Sequence, residues 1–246
     1  YTHGLQNRHL SLWASHGRYY DQKRGEWRWQ RPKLFATTED LFTQTIVVPY
    51  LIPMLEHAGA IVFTPRERDW QKAELIVDND GSSHNYQEVS SNGRWQQAPQ
   101  RGFAWHAGSY QDGENPFEAG SARMVKTTGS KSRNSTATYR PDFAKAGRYA
   151  VYVSYQTLSN SVSDALYTVW HRGEPTQFHV NQQMGGSTWV YLGTFDFDKG
   201  ASPQNCVVLS NHSRMKGVVT ADAVRFGGGM GNIERGGKLS GVPRCL

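Results

Sequence analysis

The grammar of the chain changes near residue 70, and that change limits what it can fold into. Up to there the residues run short strand, loop, helix, short strand. Beyond it, strand-like segments follow one another, separated by Gly, Asn, Ser and Asp, with no helical stretch between them. Strand, helix, strand is the unit of a parallel sheet, whereas strands in unbroken succession mark an antiparallel sandwich or jelly roll. A chain of 246 residues has room for both. The expected fold is therefore an α/β partial domain (βαβ, parallel sheet) over residues 1–69, resuming at 232–246. An all-β, jelly-roll-like sandwich is inserted over residues 70–231.

In the first part, Leu10–Ala14 is the strand candidate, Ser15-His16-Gly17 a turn, and residues 18–36 a loop rich in Arg, Lys and Trp. Thr37 is placed to cap a helix whose first turn carries Glu39 and Asp40, the acidic end that a helix dipole favours. Leu41, Phe42, Thr45, Val48, Ile52 and Leu55 keep helical spacing, Pro49 and Pro53 should kink it, and Gly59 should end it. Ala60–Phe63 reads as a buried strand. In the second part Tyr149, Val151, Val153 and Tyr155 alternate along one strand, as a half-buried sheet requires.

The net charge of +6 and a pI near 9.3 favour anionic partners such as acidic glycans or cell-wall polymers. There is no long Lys/Arg run, so nucleic acid is not an expected partner. The two cysteines, Cys206 and Cys245, form no CxxC, which excludes a Cys-rich zinc site and leaves a disulfide open. No signal peptide or apolar run long enough to span a membrane is visible, so a mature or trimmed product without a transmembrane segment is expected.

His16 follows the first strand and Glu39 opens the next helix, so both fall at the carboxyl edge of a parallel unit, where ligands bind. Imidazole and carboxylate are zinc ligands. The competing reading makes His16 a turn residue and Glu39 a carboxylate that suits the dipole. Three pieces resemble zinc-dependent N-acetylmuramoyl-L-alanine amidases: Leu12-Trp13-Ala14-Ser15-His16-Gly17, the helix opened by Thr38-Glu39-Asp40-Leu41, and the series from Ala58 to Asp69. The resemblance implies that His16 and Glu39 are metal ligands for zinc. It also implies a second His and a catalytic Glu, for which no motif follows Phe226. His212 reads as a polar turn instead. Trp27, Arg28 and Trp29, in the loop over this site, are candidates for contact with a glycan-peptide substrate, since indoles stack on sugars and guanidinium pairs with carboxylates. The plain alternative is a solvated loop with one Trp tucked into the core.

The second part resembles the carbohydrate-binding-like domain shared by golvesins and xanthan lyases. The pieces that carry the resemblance are Ile76–Asp80, Gly147–Tyr155, Tyr167–His171, Val180-Asn181-Gln182, Gly186–Gly193 and Ala221–Phe226. It implies a β-sandwich attached to an exported, periplasmic or cell-surface protein, and implies sugar binding loosely. Most of its aromatics belong in the core. Trp95, Trp105, Tyr110 and Trp170 are the candidates for a carbohydrate platform. Two functions follow as expectations. One is a zinc amidase-like hydrolase of peptidoglycan, of which this chain is an incomplete part partnered by the rest of the amidase domain. The alternative is a non-catalytic carbohydrate-binding or adhesion module, or an accessory part of a xanthan lyase-like polysaccharide lyase.

Overall fold

A computed structural model describes residues 4–13, 16–21, 23–64, 68–69, 71, 73–81, 84–105 and 114–228. The chain divides into two compact units, with the junction at Lys72 and Ala73. The expectations for Tyr110, Cys245 and residues 232–246 fall outside the described residues.

In the first unit β1 (His9–Ser11) is followed by two small hairpins, β2 (Arg18–Asp21) with β3 (Glu26–Trp29) and β4 (Lys33–Leu34) with β5 (Thr37–Thr38). This corrects the expectation of an irregular loop over 18–36. Asp21 closes the first turn by accepting the backbone N–H groups of Lys23 and Arg24, and Gly25 supplies a φ of 67°. Turn chemistry of that kind pairs strands as short as these. Helix α1 (Glu39–Ile46) is capped by Thr38 rather than Thr37, for the Thr38 hydroxyl accepts from Leu41 N at 3.3 Å. Pro49 does not break the helix. The chain widens into a π-turn over Val47–Leu51, with Ile52 N–H reaching back to the Val47 carbonyl, and continues as α2 (Ile52–His57). A prolyl ring has no N–H and crowds the carbonyl four residues back, and a wider turn relieves both faults. Gly59, at φ 96°, reverses the chain into β6 (Ile61–Phe63), which pairs in parallel with β1. Ile52, Ala60 and Val62 are buried there beneath Leu5, Leu10, Leu12, Val47 and Leu55.

The second unit runs β7 (Glu74–Asp78), β8 (Tyr86–Val89), β9 (Gln96–Gly102), a single 3-10 turn (Pro116–Glu118), β10 (Gly120–Lys126), β11 (Thr136–Tyr139) and β12 (Gly147–Val153). It continues with β13 (Ala165–His171), β14 (Glu174–Val180), β15 (Val190–Phe197), β16 (Cys206–Ser210), β17 (Val218–Ala221) and β18 (Ala223–Gly227). One sheet has five strands in the order β14-β13-β16-β11-β8, and a second has four in the order β15-β12-β18-β7. A third has the order β17-β10-β9. The inner faces of the first two sheets meet through His171 and Phe178 against Phe195. Phe143, Tyr149, Phe197 and Phe226 form the aromatic centre of the core, with ring centroids 4.7–5.6 Å apart for the closest pairs. Each such side chain contributes about 1.5–3 kcal/mol by leaving water, and the tilted and edge-on ring geometry adds to that.

Candidate functional site

Strand alternation decides which side chains of the five-stranded sheet face outward. In β13, Ala165, Tyr167 and Val169 are buried, while Leu166, Thr168 and Trp170 are half-buried. In β14, Pro175, Gln177 and His179 are exposed. The antiparallel register lines these residues up in rows across the sheet. The middle row reads Gln177, Thr168, Val208, Thr138, Gln87. One flanking row brings together Pro175, Trp170 and Cys206, and the ladder extends it to Arg140, whose N–H donates to the Asn85 carbonyl at 2.7 Å. The other holds His179, Leu166, Ser210, Thr136 and Val89. With strands about 4.8 Å apart, each row spans about 19 Å. The outcome is a partly exposed strip with one indole, two carboxamides and three threonine hydroxyls, within which Cys206 and Ser210 are buried. No position in the three rows is Asp or Glu. Strips of this composition suit a polyhydroxylated ligand: amides and hydroxyls exchange hydrogen bonds with sugar hydroxyls, and an indole face covers the C–H side of a ring.

The four-stranded sheet treats its outer face differently. Ala150, Tyr152 and Ser154 of the β12 segment are all buried, and so is Arg225 of β18, which is 2% exposed. The Arg225 guanidinium lies 4.0 Å over the Tyr152 ring and 5.2 Å from the Trp189 ring, with Glu74 Oε2 at 4.0 Å. Trp189 in turn packs on Phe103 and Phe117, at 5.0 and 5.4 Å. Nearby, Asp222 accepts from Phe103 N at 2.9 Å and from the Ser154 hydroxyl, which makes it a structural acceptor. Burial raises the Asp222 carboxyl to about 6. Burial first, and the Asp222 charge second, raise Asp78 to about 8.

Among the platform candidates, Trp170 lies on the open strip. Trp95 does not: it is 4% exposed and its indole N–H donates to the Thr136 carbonyl at 3.1 Å, so its ring is core and cannot face a ligand. Trp105, 53% exposed, follows β9 and lies outside the three rows. Gln177, Thr168, Thr138 and Gln87 had no sequence signal beyond alternation, and only the register brings them to one row. Cys206 is buried, with its thiol raised to about 11 by burial while the Arg140 charge pulls it back; a thiol so held is inert.

In the first unit His16 Nε2 lies 3.7 Å from Glu39 Oε1 and 3.1 Å from the Arg31 guanidinium. Among the described residues no group of three His, Cys, Asp or Glu converges. Asp40, one residue on, is fully buried and accepts Arg31 N at 2.8 Å, which ties the hairpin to the helix start. Arg28 lies 3.5 Å from Asp21 and 3.6 Å from Glu26. Trp29 is half-buried on β3, and the side chain of Trp27 lies outside the description. No helix among the described residues is long and apolar enough to cross a membrane.

Residues 75–228 match the family described as the Golvesin C-terminal domain. A xanthan lyase of Bacillus sp. (strain GL1) is 30% identical over 91 residues, which is 37% of this chain and 10% of that protein. The chain thus spans about a tenth of the length of the curated relative it matches. Among solved structures, Paenibacillus xanthan lyase is similar over 63% of this chain and 13% of its own, at 24% identity and a TM-score of 0.49. The C-terminal CBM6 of LamC, a marine laminarinase from Zobellia galactanivorans, is similar over 63% of this chain and 99% of its own, at 14% identity and a TM-score of 0.39.

Proposed function

The chain belongs to the Golvesin C-terminal domain family, and on that footing we propose that its sandwich is the carbohydrate-binding module of an exported, polysaccharide-acting protein. The single observation that carries this reading is the open face of the five-stranded sheet, where Trp170 stands beside the row Gln177, Thr168, Thr138 and Gln87. A relative named xanthan lyase supports the ligand class. The indole supplies a stacking surface, the carboxamides and hydroxyls fix the register of a sugar chain, and the rigid strands beneath hold both without reordering, which keeps the entropy loss of binding low. The test is affinity electrophoresis of the whole chain through gels containing soluble polysaccharides, among them neutral glucans. Retardation that Trp170→Ala abolishes and Trp105→Ala leaves intact is the expected result. Retardation unaffected by Trp170→Ala overturns the assignment of this face.

A second reading concerns the first unit, and one observation favours it. His16 Nε2 and Glu39 Oε1 are close enough to share a zinc ion at bonds of about 2.0–2.2 Å. In the amidase-like reading these two side chains would be two of the three protein ligands of a zinc ion, which would polarise an amide carbonyl and acidify a bound water. Arg31 must then leave His16 Nε2, since a guanidinium and a metal cannot both occupy that nitrogen. The check is metal content after dialysis against zinc. Stoichiometric zinc that His16→Ala removes supports the reading, and an unchanged zinc content in His16→Ala overturns it.

A further inference from the structure

Arg140 is the residue of the open face that the glycan-binding reading leaves unused. Its backbone is fixed on both sides: its N–H donates to the Asn85 carbonyl at 2.7 Å, and the Asn85 side-chain amide donates to its own carbonyl at 2.9 Å. The side chain is half-buried, and its Nε is out of water with no hydrogen-bond acceptor among the described residues. Other arginines of the chain behave differently. Arg68, Arg123 and Arg172 lie 2.6, 2.6 and 3.1 Å from the carboxylates of Glu56, Glu88 and Asp198. No such carboxylate stands by Arg140 among the described residues. Because Nε is enclosed, the terminal nitrogens of the guanidinium are the donors left for a ligand, and a pair of them fits a carboxylate in two-point geometry.

The surroundings point the same way. Arg140 and Trp170 flank Cys206 on the two strands either side of β16. Two strand spacings put their backbones about 10 Å apart, within the span of a short oligosaccharide. The three outward rows carry no acidic residue that would repel an anion or claim the guanidinium for itself.

We propose that the open face of the five-stranded sheet selects carboxylate-bearing glycans, with Arg140 pairing to a carboxylate on or next to the sugar that stacks on Trp170. This rests on the glycan-binding reading above. The probes are polygalacturonate and the same polymer with its carboxylates methyl-esterified, which share a backbone and differ in charge. The wild-type chain should bind the acid form at least tenfold more tightly, and raising salt from 50 to 500 mM should erode that preference while leaving the ester unaffected. Arg140→Gln should bring the two affinities together by weakening the acid form alone, and Arg140→Lys should restore part of the difference. Equal wild-type affinity for both polymers overturns the inference. So does an Arg140→Gln variant that loses both polymers in proportion. Binding of neutral glucans without any acid preference overturns this inference and leaves the glycan-binding reading standing. Failure to bind any polysaccharide overturns both.

Discussion

The outer faces of the two main sheets are built by the same alternation and meet opposite fates. On the four-stranded sheet Tyr152 and Arg225 are sealed, the guanidinium held against the Tyr152 and Trp189 rings. On the five-stranded sheet Gln177 and Gln87 are exposed and Trp170 is half-buried. The covered face has the more conspicuous residues, an arginine between aromatics, and it is architecture. The less covered face is chemically plain, two glutamines and three threonines beside one indole, and it is the face we propose for glycan binding. Aromatic or charged character in a sandwich strand therefore says little about function until the packing on that strand's outer side is known.

The comparison is best broken first at Arg225. Arg225→Ala removes a buried cation from its two rings and leaves Glu74 without that partner, and should lower unfolding free energy by about 3 kcal/mol. Chemical denaturation followed by tryptophan fluorescence reads this directly. A loss under about 1 kcal/mol would show that the covered face is not structural.

The second test uses pH. Asp78 and Asp222 both hold their protons more tightly in the folded chain than at the ordinary value of 3.8, at about 8 and about 6. Folded carboxyls that bind protons more tightly than unfolded ones give stability that is complete below about pH 4 and declines as pH rises through 6 toward 8. The unfolding midpoint should fall across that window, and Asp78→Asn should flatten the upper part of the decline. A midpoint that rises from pH 5 to pH 8 in the wild type contradicts the burial of these groups.

On the open face the readout changes from stability to binding. Trp170→Ala should reduce polysaccharide affinity at least tenfold, about 1.4 kcal/mol, while its unfolding midpoint shifts less than half as far as that of Arg225→Ala. A stability loss equal to that of Arg225→Ala would mean that the two faces do not differ. The smallest effects belong to the edge amides. Gln177→Ala and Gln87→Ala, each removing one hydrogen-bonding group from a solvated site, should weaken binding by about 1 kcal/mol or less, close to fivefold. Isothermal titration with a soluble oligosaccharide resolves that difference, and no change in either variant would confine the site to the Trp170 end of the strip.

Local pattern and tertiary context divide the rest between them. The break near residue 70, the strands around Tyr149–Tyr155 and Tyr167–His171, and the left-handed stop at Gly59 were all legible, because each rests on period or on a single residue's backbone freedom. The hairpins over 18–38 were not, since four-residue and two-residue strands are too short for alternation to show. Trp95 and Trp170 illustrate the limit at the site. Both are tryptophans near strand ends in the same domain, yet one donates its N–H to Thr136 inside the core and the other stands on the open strip.

What the sequence determined by itself was therefore the succession of strands over residues 74–227, the family, and the alternation that sends Leu166, Thr168 and Trp170 to one side of their strand. Only the tertiary structure decided which side of which sheet remains in water, and that Gln177, Thr168, Val208, Thr138 and Gln87 form one row. The physical reason is range. Period and turn chemistry act over a few residues along the chain. A row across five strands joins positions as far apart as Gln87 and Gln177, whose adjacency is set by strand register and by whatever else has packed on the face.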